Sequence, residues 1–577
     1  MTSTIPTTTT VPAEVDVIII GGGATGCIIA GRLAAADPTL EILVVEAGPD
    51  NLEDPEVIRP GNCLRHMNPY SSKMKAYTGT HSEHLGGRSP IVSVAQVLGG
   101  GSSVNYLMYS RANSSDYDDW NTEGWSGKDL LPLFRKCETY TLKSDSPETH
   151  GSSGPLGVSS GGCPLPITDE LLKTAQDRGH PIVDDAQDLK TVNVFARWAK
   201  WIQPGTGRRS DTAHYYLRPQ MVKNPNVYLV VESTVSKIII EGGKATGIEY
   251  VPTVPEENTT PPRTTVKARR LVILTAGSIG SPRILERSGV GAKAVLEAAG
   301  VTPTVDLPGV GANYQDHHLF SAIYQLDDDT ETPDDMNRLD TAALLKAEEG
   351  WPTGKGMFTS NFVEVGSKIR PSESEVASFD PDFQAYWKEK FENAKDKAVV
   401  LTCWSMGYPG GHELAGLSKG KYIGAVTITL YPASRGSIHI TSADPYEHPN
   451  FDPGFLSHPA DIAPLVWSYK FNREIARRMP SFRGEVPVMH PAYPDGSAAA
   501  AKAVDNEDIA TKKDIVYTKE DDKAIEQLAR SRVASTWHGL GTAPMMPREN
   551  GGVVDKELNV YGVANLKVAG MLDLYPA

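Results

Sequence analysis

The stretch VDVIIIGGGATGCIIAGRLAAADPTLEILVVEAG, residues 15–48, places a glycine-rich turn between two apolar segments. Val15–Ile20 is a β-branched run typical of a buried parallel strand, and Ile42–Val45 is a second such run. The pattern GxGxxG begins directly after the first run, and an Ala- and Leu-rich segment predicts a helix before the second. This order predicts a βαβ unit at the start of an α/β domain.

Each glycine of this turn has its own physical role in binding a dinucleotide. Gly21 permits the tight turn, Gly23 lets a pyrophosphate approach the backbone, and Gly26 lets helix and strand pack closely. Thr25 belongs to the same predicted cofactor site at the helix N-terminus, and Glu46 can accept a hydrogen bond from a ribose hydroxyl. A glycine turn that only packs would leave Glu46 unexplained. Because no second nicotinamide-type unit is present, a tightly held flavin is favoured over NAD.

Length and composition narrow the class of protein. The chain has 577 residues, enough for two or more domains, with 40% hydrophobic and 22% charged residues. A formal net charge of −15 disfavours binding to nucleic acid, and no apolar run is long enough to predict a membrane span. Residues 1–13 resemble no secretory signal and predict a disordered tail.

Five scattered cysteines predict free thiols in a reducing compartment rather than disulfides or a zinc site. His81-x-x-His84 has no third ligand in sight, so we expect no metal. We expect an intracellular protein of the cytoplasm, with the peroxisome left open, although Tyr575-Pro576-Ala577 is not a peroxisomal targeting tripeptide.

A second glycine stretch, AQVLGGGSSVNYLMYSRANSSDYDDW, covers residues 95–120. Gly100, Ser102 and Asn105 can offer backbone N–H groups and polar side chains to a cofactor at close range. The alternative is a flexible turn. Further along, GSIGSPRILERSGVG begins at Gly277 and LPGVGANYQDHH begins at Leu307.

Together these stretches resemble the glucose–methanol–choline (GMC) flavin oxidoreductases. The first signature of that family resembles residues 95–105, with Gln96 as a departure, and the second is similar to residues 277–291 at every defining position. GRRSDTAHYYL, YPASRGSIHITSADPYEHPNFDPGF and TWHGLGT are similar in order and spacing. The resemblance spans residues 15 to about 570, and within the family the fungal methanol and alcohol oxidases are most similar.

The resemblance implies an α/β fold with two domains: a glucose oxidase-type, Rossmann-like FAD domain and a substrate domain built on an antiparallel sheet. The FAD domain would be discontinuous, over residues 14–160, 226–316 and 518–577. Residues 161–225 and 317–517 would form the substrate domain, with a mobile loop near 496–515. It also implies that Val235 contacts adenine and that Gly277 belongs to the cofactor site.

The segment STWHGLGT contains the candidate catalytic residue, His538. Thr518 to Asp521 resembles a capping box, so we expect a helix after it that leads to this segment. Alone, a histidine among apolar neighbours is more often a packed core residue. The resemblance implies that His538 is the general base that removes the hydroxyl proton of an alcohol. It also implies that Tyr106, Met108 and Trp537 wall the substrate pocket.

The expected function is FAD-dependent oxidation of a primary alcohol to an aldehyde, with O2 as the acceptor and hydrogen peroxide as the second product. One alternative is a tailoring oxidoreductase for a larger hydroxylated metabolite, because the Tyr106 hydroxyl could bind a polar group. Another is a flavin-binding protein without turnover, because the resemblance implies an Asn or His partner of His538 beyond residue 577. Expected partners are the alcohol and O2, without nucleic acid or membrane, and a homo-oligomer stays open.

Overall fold

The structure, a computed structural model, describes residues 11–68, 71–257, 259–410, 416–417, 419–500 and 512–570. Two large sheets organise it, one mixed with a parallel centre and one almost entirely antiparallel. The predicted α/β class with an FAD-type sheet and an antiparallel sheet is therefore confirmed. The central part of the predicted mobile loop, 501–511, and most of the predicted tail, 1–10, lie outside the described residues.

The first sheet contains the predicted βαβ unit. Glu14–Ile20 pairs in parallel with Ile42–Val45 on one side and with Thr264–Leu274 on the other. In spatial order its strands are Ser233–Glu241, Lys244–Pro252, Thr264–Leu274, Glu14–Ile20, Ile42–Val45 and Val227–Val230, and Leu566–Val568 also pairs with Thr264–Leu274. The side chains of Glu14–Ile20 alternate between two apolar clusters, so this sheet is buried on both faces, as a parallel sheet requires.

The second sheet is larger than the first and is built from strands of the middle and C-terminal parts of the chain. In spatial order its strands are Phe482–Glu485, His318–Leu326, Lys421–Thr429, Val400–Met406, Val363–Ile369, Phe195–Arg197 and Ile182–Val183, and Ala534–Ser535 also pairs with His318–Leu326. All its pairings are antiparallel except that between Ile182–Val183 and Phe195–Arg197. Among the described residues, four two-stranded pairs lie outside these sheets: Met74–Thr78 with Ile91–Ala95, Glu138–Tyr140 with Leu156–Val158, Val290–Gly291 with Val305–Asp306, and Ser437–His439 with Asn450–Asp452.

The helices cover both faces of the first sheet and the outer face of the second. The α-helices span Ala24–Ala36, Pro55–Ile58, Gly101–Val104, Ser114–Asp118, Gly127–Cys137, Ile167–Asp177, Arg218–Lys223, Gly277–Arg287, Lys293–Ala298, Asp334–Asn337, Thr341–Gly350, Glu373–Val376, Pro381–Lys390, Ile462–Ala476 and Lys519–Arg532. A π-helical turn spans Ala213–Leu217. In the part of the chain that the structure describes, no helix has the length and apolarity that crossing a membrane would need.

The last of these helices begins as the sequence predicts. The Thr518 side chain accepts a hydrogen bond from the Asp521 backbone, and the Asp521 carboxylate accepts one from the Thr518 N–H. This reciprocal pair is a capping box with Asp in the third position. Ile525 and Ala529 are fully buried on the inner face of the helix.

Packing differs from the predicted domain boundaries at two places. Residues 213–223 pack on the first sheet, because Ala213 and Leu217 share an apolar cluster with Cys27 and Ala30. Residues 519–535 pack with the second sheet, because Ile525 and its neighbours join the apolar cluster on that sheet's outer face. By these contacts, residues 213–223 pack with the FAD-type sheet, although they were predicted in the substrate domain. Residues 519–535 pack with the antiparallel sheet, although they were predicted in the FAD domain. The remaining boundaries stay predictions.

Candidate active site

A cavity of about 1180 Å³ lies between the two sheets. Its lining includes Ile20 and Val45 from the first sheet and Cys403 and Val426 from the second. Both glycine-rich stretches also line it. Among the predicted site residues, those that line this one cavity are Gly21, Gly23, Thr25, Glu46, Gly100, Asn105, Tyr106, Met108, Val235, Gly277, Trp537 and His538.

The first glycine turn has the form that a pyrophosphate site needs. Gly21 has φ +96°, a conformation that glycine adopts readily and other residues avoid. A methyl group on Gly26 would lie 2.1 Å from the Gly21 carbonyl oxygen, so this position needs glycine for close packing of helix and strand. A methyl group on Gly23 would have no atom nearer than 3.8 Å. Gly23 is therefore open on the cavity side, whereas Gly26 is closed by the fold and does not line the cavity.

The second glycine stretch closes over the first. Gly100 has φ +52°, and a methyl group there would lie 2.7 Å from the Cα of Gly23. Asn105 ends the short helix that follows and faces the cavity. Ser102 differs from the prediction: its hydroxyl donates to the Gly99 carbonyl, accepts from the Thr212 N–H at 3.1 Å, and does not line the cavity. Its contacts stabilise the turn instead.

Glu46 connects the end of the second strand to the glycine turn. Its two carboxylate oxygens accept from the backbone N–H groups of Gly22 and Gly48, both at 2.8 Å. Burial raises the pKa of Glu46 to about 7. The remaining lone pairs of the carboxylate can still accept from a ribose hydroxyl at the cavity wall.

These features fit FAD. The cavity is bordered by two glycine cradles whose backbones approach each other too closely for a β-carbon at Gly100. Gly277, with φ +73°, begins a helix whose first turn also lines the cavity, and Val235 lines it from the neighbouring strand. Among the described residues no three His, Cys, Asp or Glu side chains converge as a metal site.

His538 lies on a turn that the preceding loop holds in place. The buried Asp316 carboxylate accepts from the His538 backbone N–H at 3.0 Å, from the Tyr314 hydroxyl at 3.1 Å and from the Ser535 hydroxyl. Burial raises the pKa of Asp316 to about 6. Trp537 has φ +61°, a strained conformation for a residue with a bulky side chain. Asp316 therefore stabilises the bend that turns the His538 ring toward the cavity.

His538 is an exposed residue that lines the cavity, and the protein around it desolvates the charged form of its ring. Burial lowers its pKa to about 4, so the ring is neutral at physiological pH. Its Nδ1 lies 3.1 Å from Nδ1 of His317, and the two rings are nearly perpendicular, at 87°. A neutral imidazole with a ring nitrogen facing the cavity has the chemistry of a proton acceptor.

The predicted pocket residues stand beside His538. The rings of Tyr106 and Trp537 stack with their centroids 5.9 Å apart, and Met108 packs on the inner apolar cluster of the second sheet. The Tyr106 hydroxyl oxygen is buried and has no hydrogen-bond partner among the described residues. It is therefore not available to a molecule in the cavity, and it does not support the alternative of a larger polar substrate.

Sequence reasoning missed two residues that hold this site, Arg209 and Asp316. The fully buried Arg209 guanidinium donates to the Asn105 carbonyl at 2.8 Å, to the Asn105 side-chain oxygen at 2.7 Å and to the Val57 carbonyl at 2.8 Å. None of these bonds goes to a carboxylate, and burial lowers the pKa of Arg209 to about 10. Both residues lie in segments with which the sequence resembles its family, Arg209 in GRRSD and Asp316 in NYQDHH. No local pattern, however, shows which distant residues their side chains will contact.

Comparison with known proteins gives matches over almost the whole chain. The N-terminal domain of GMC oxidoreductases matches residues 15–319, and the C-terminal domain matches residues 432–571. The alcohol oxidases of Pichia angusta and Candida boidinii are each 42% identical to this chain, over 97% of it and 91% of their own length.

Solved structures agree on the fold. A formate oxidase of Aspergillus oryzae matches with a TM-score of 0.82 and 23% identity, which is a likeness of fold alone. An FAD-dependent oxidoreductase from Chaetomium thermophilum matches with a TM-score of 0.79 and 27% identity. Each alignment covers 98% of this chain and 95% of the other.

Proposed function

The chain belongs to the GMC oxidoreductase family, and we propose that it oxidises a primary alcohol to an aldehyde, with O2 as the electron acceptor and hydrogen peroxide as the second product. Membership of this family, with alcohol oxidases at 42% identity, makes the protein an FAD-dependent enzyme that oxidises alcohols. Within the finer statement, the primary alcohol rests on the site, and O2 rests on the similarity to alcohol oxidases. The observation that carries it is the neutral His538 imidazole, facing the cavity beside a wall of bulky side chains.

The two glycine turns, Glu46 and Val235 would hold FAD. Backbone N–H groups at the start of helix Ala24–Ala36 suit the pyrophosphate, since a helix N-terminus favours anions. Asn105, held by Arg209, lines the same cavity as these residues and directly precedes Tyr106 in the chain. When bound, FAD supplies the two-electron acceptor that oxidation of an alcohol requires.

Removal of the hydroxyl proton is the task of His538. Because burial keeps the ring neutral, one of its two ring nitrogens has a lone pair with which to accept that proton. The Asp316 contact to the His538 backbone keeps the ring at one place in the cavity, which lowers the entropic cost of reaching the reactive geometry.

The wall around His538 favours a small, unbranched alcohol. Trp537 and Tyr106 stack on one side, and Val426 and Ile428 of the second sheet line the cavity with Met108. A carbon chain can pack against these apolar groups, whereas a second substituent on the carbinol carbon would compete with them for space.

The proposal is tested with purified enzyme and a panel of primary, secondary and larger hydroxylated alcohols. We expect bleaching of the flavin absorbance under anaerobic conditions with short primary alcohols, and peroxide in step with aldehyde when O2 is admitted. Faster bleaching by secondary or bulky alcohols would favour the tailoring enzyme. A flavin that every alcohol leaves oxidised would favour a binding protein without turnover.

A further inference from the structure

His317 touches His538 in a way that restricts where each ring carries its proton. The two Nδ1 atoms are 3.1 Å apart, which is hydrogen-bond distance, and both rings are neutral because burial lowers the pKa of His317 to about 3 and that of His538 to about 4. A bond between two nitrogens needs one proton and one lone pair. One ring is therefore protonated on Nδ1 and the other is not.

The two arrangements have opposite consequences for His538. If His317 donates, the Nδ1 of His538 accepts, its single proton sits on Nε2, and no lone pair is left to take a proton from an alcohol. If His538 donates, its proton sits on Nδ1 and the Nε2 lone pair is free for the cavity. Only the second arrangement suits a general base at Nε2.

The surroundings of His317 select between them. The backbone carbonyl of Leu430 opposes the effect of burial and raises the pKa of His317, as an acceptor beside the ring does; a carbonyl can only accept, so the ring nitrogen beside it is a donor. Because Nδ1 of His317 is occupied by His538, that donor is Nε2. A neutral His317 protonated on Nε2 has only a lone pair to offer at Nδ1. Besides His538, the titratable group that affects the pKa of His317 is His318. His318 is itself buried, and burial lowers its pKa as well.

We propose that His317 is a positioning residue that fixes His538 in the tautomer with its proton on Nδ1 and its Nε2 lone pair toward the substrate. The hydrogen bonds run from the Nδ1–H of His538 to the Nδ1 of His317, and from the Nε2–H of His317 to the carbonyl of Leu430. Asp316 holds the backbone of His538, and His317 sets which of its ring nitrogens is basic. The inference rests on the proposed role of His538 as the base.

The first test compares two substitutions in the holoenzyme. His317→Phe keeps the ring volume and removes the acceptor, so we expect flavin reduction at saturating alcohol to slow by about 10²-fold, with KM, FAD content and thermal midpoint little changed. His317→Asn places an amide oxygen near the former Nδ1, so we expect it to stay within about tenfold of the unaltered enzyme. Equal losses in both variants, or full activity of His317→Phe, would overturn the proposal.

The second test does not depend on turnover. ¹⁵N spectra of histidine-labelled, oxidised holoenzyme distinguish protonated from unprotonated ring nitrogens, and the His538 signals are assigned by their loss in His538→Gln. We expect His538 to be protonated on Nδ1 in the unaltered enzyme and to shift toward Nε2 in His317→Phe. An Nε2–H His538 in the unaltered enzyme would refute the inference even if His317→Phe did not fold.

The two proposals fail in distinguishable ways. If the unaltered enzyme never reduces its flavin with any alcohol, the proposed function fails. If it does so and the tautomer of His538 is independent of His317, only the positioning role fails.

Discussion

Replacing Gly23 with alanine should weaken FAD binding without disturbing the fold. The new methyl group would lie 3.8 Å from the Thr275 carbonyl oxygen and 4.0 Å from the Gly100 Cα, which are ordinary van der Waals distances. The backbone at Gly23, with φ −69° and ψ −171°, is a conformation that alanine adopts without strain. The methyl group instead occupies the open side of the turn, where a pyrophosphate would meet the backbone.

The expected magnitude follows from the contact that is lost. A hydrogen bond between a backbone N–H and a charged phosphate contributes about 1.5–3 kcal/mol, so losing one raises the Kd for FAD by about 10- to 150-fold. The Kd is measured by the change in flavin fluorescence on titration. The free energy of unfolding measured without FAD should differ from that of the unaltered protein by at most about 0.5 kcal/mol, because nothing packed is displaced. At equal saturating FAD the variant should be less stable by about the 1.5–3 kcal/mol of binding free energy that it has lost.

Gly26→Ala is the matched control, three residues further along the same turn. Its methyl group would lie 2.1 Å from the Gly21 carbonyl oxygen, so helix and strand must separate, at a cost of about 1–3 kcal/mol in the free energy of unfolding. If Gly23→Ala bound FAD within twofold of the unaltered protein, the assignment of this turn to the pyrophosphate would be wrong. If Gly26→Ala were as stable as the unaltered protein, the packing argument would fail.

Four further outcomes are expected. His538→Ala should keep its FAD and slow flavin reduction by alcohol by about 10²–10⁴-fold in stopped-flow measurements, whereas loss of FAD and stability together would indicate a packing role. In the unaltered enzyme, kcat/KM for flavin reduction should fall as the pH drops through about 4, because the imidazole can accept a proton only above its lowered pKa; a fall near pH 6.5 would contradict this. Tyr106→Phe should raise the free energy of unfolding by about 1 kcal/mol in denaturant titrations and leave the order of preferred alcohols unchanged, since it removes a buried hydroxyl without a partner. Arg209→Met should weaken FAD binding and destabilise the fold by about 1–3 kcal/mol because Asn105 loses two hydrogen bonds, and Arg209→Lys should recover only part of the loss, since one ammonium cannot reproduce the guanidinium fork.

Local patterns predicted the parts of this fold whose causes are local. The strand Ile42–Val45 matches its predicted bounds, and the helix after Thr518 begins with the predicted capping box, because both depend on residues within a few positions of each other. The placement of residues 213–223 differs from the prediction because it depends on contacts with helix Ala24–Ala36, nearly two hundred residues earlier. A methyl group on Gly31 would lie 2.4 Å from the Tyr216 carbonyl oxygen, a constraint that neither segment shows by itself.

The candidate site divides in the same way. Gly21, Gly23, Glu46 and His538 stand in recognisable motifs, and the structure brings them to one cavity. The tie from Asp316 to His538 joins segments 222 residues apart, and no spacing rule indicates it. Similarly, the hydroxyl of Tyr106 looked available to a substrate until the structure showed it buried.

Two cysteine thiols that border the cavity affect how well such an enzyme would resist inactivation by hydrogen peroxide during turnover. Cys63 and Cys403 are buried side chains of the cavity wall, and burial raises the pKa of each to about 12. Hydrogen peroxide reacts with thiolates rather than thiols, and at neutral pH almost none of either residue is ionised. An oxidase that releases peroxide beside these sulfur atoms would therefore spare them through many catalytic cycles, and its inactivation by its own product should begin elsewhere, at methionines such as Met108.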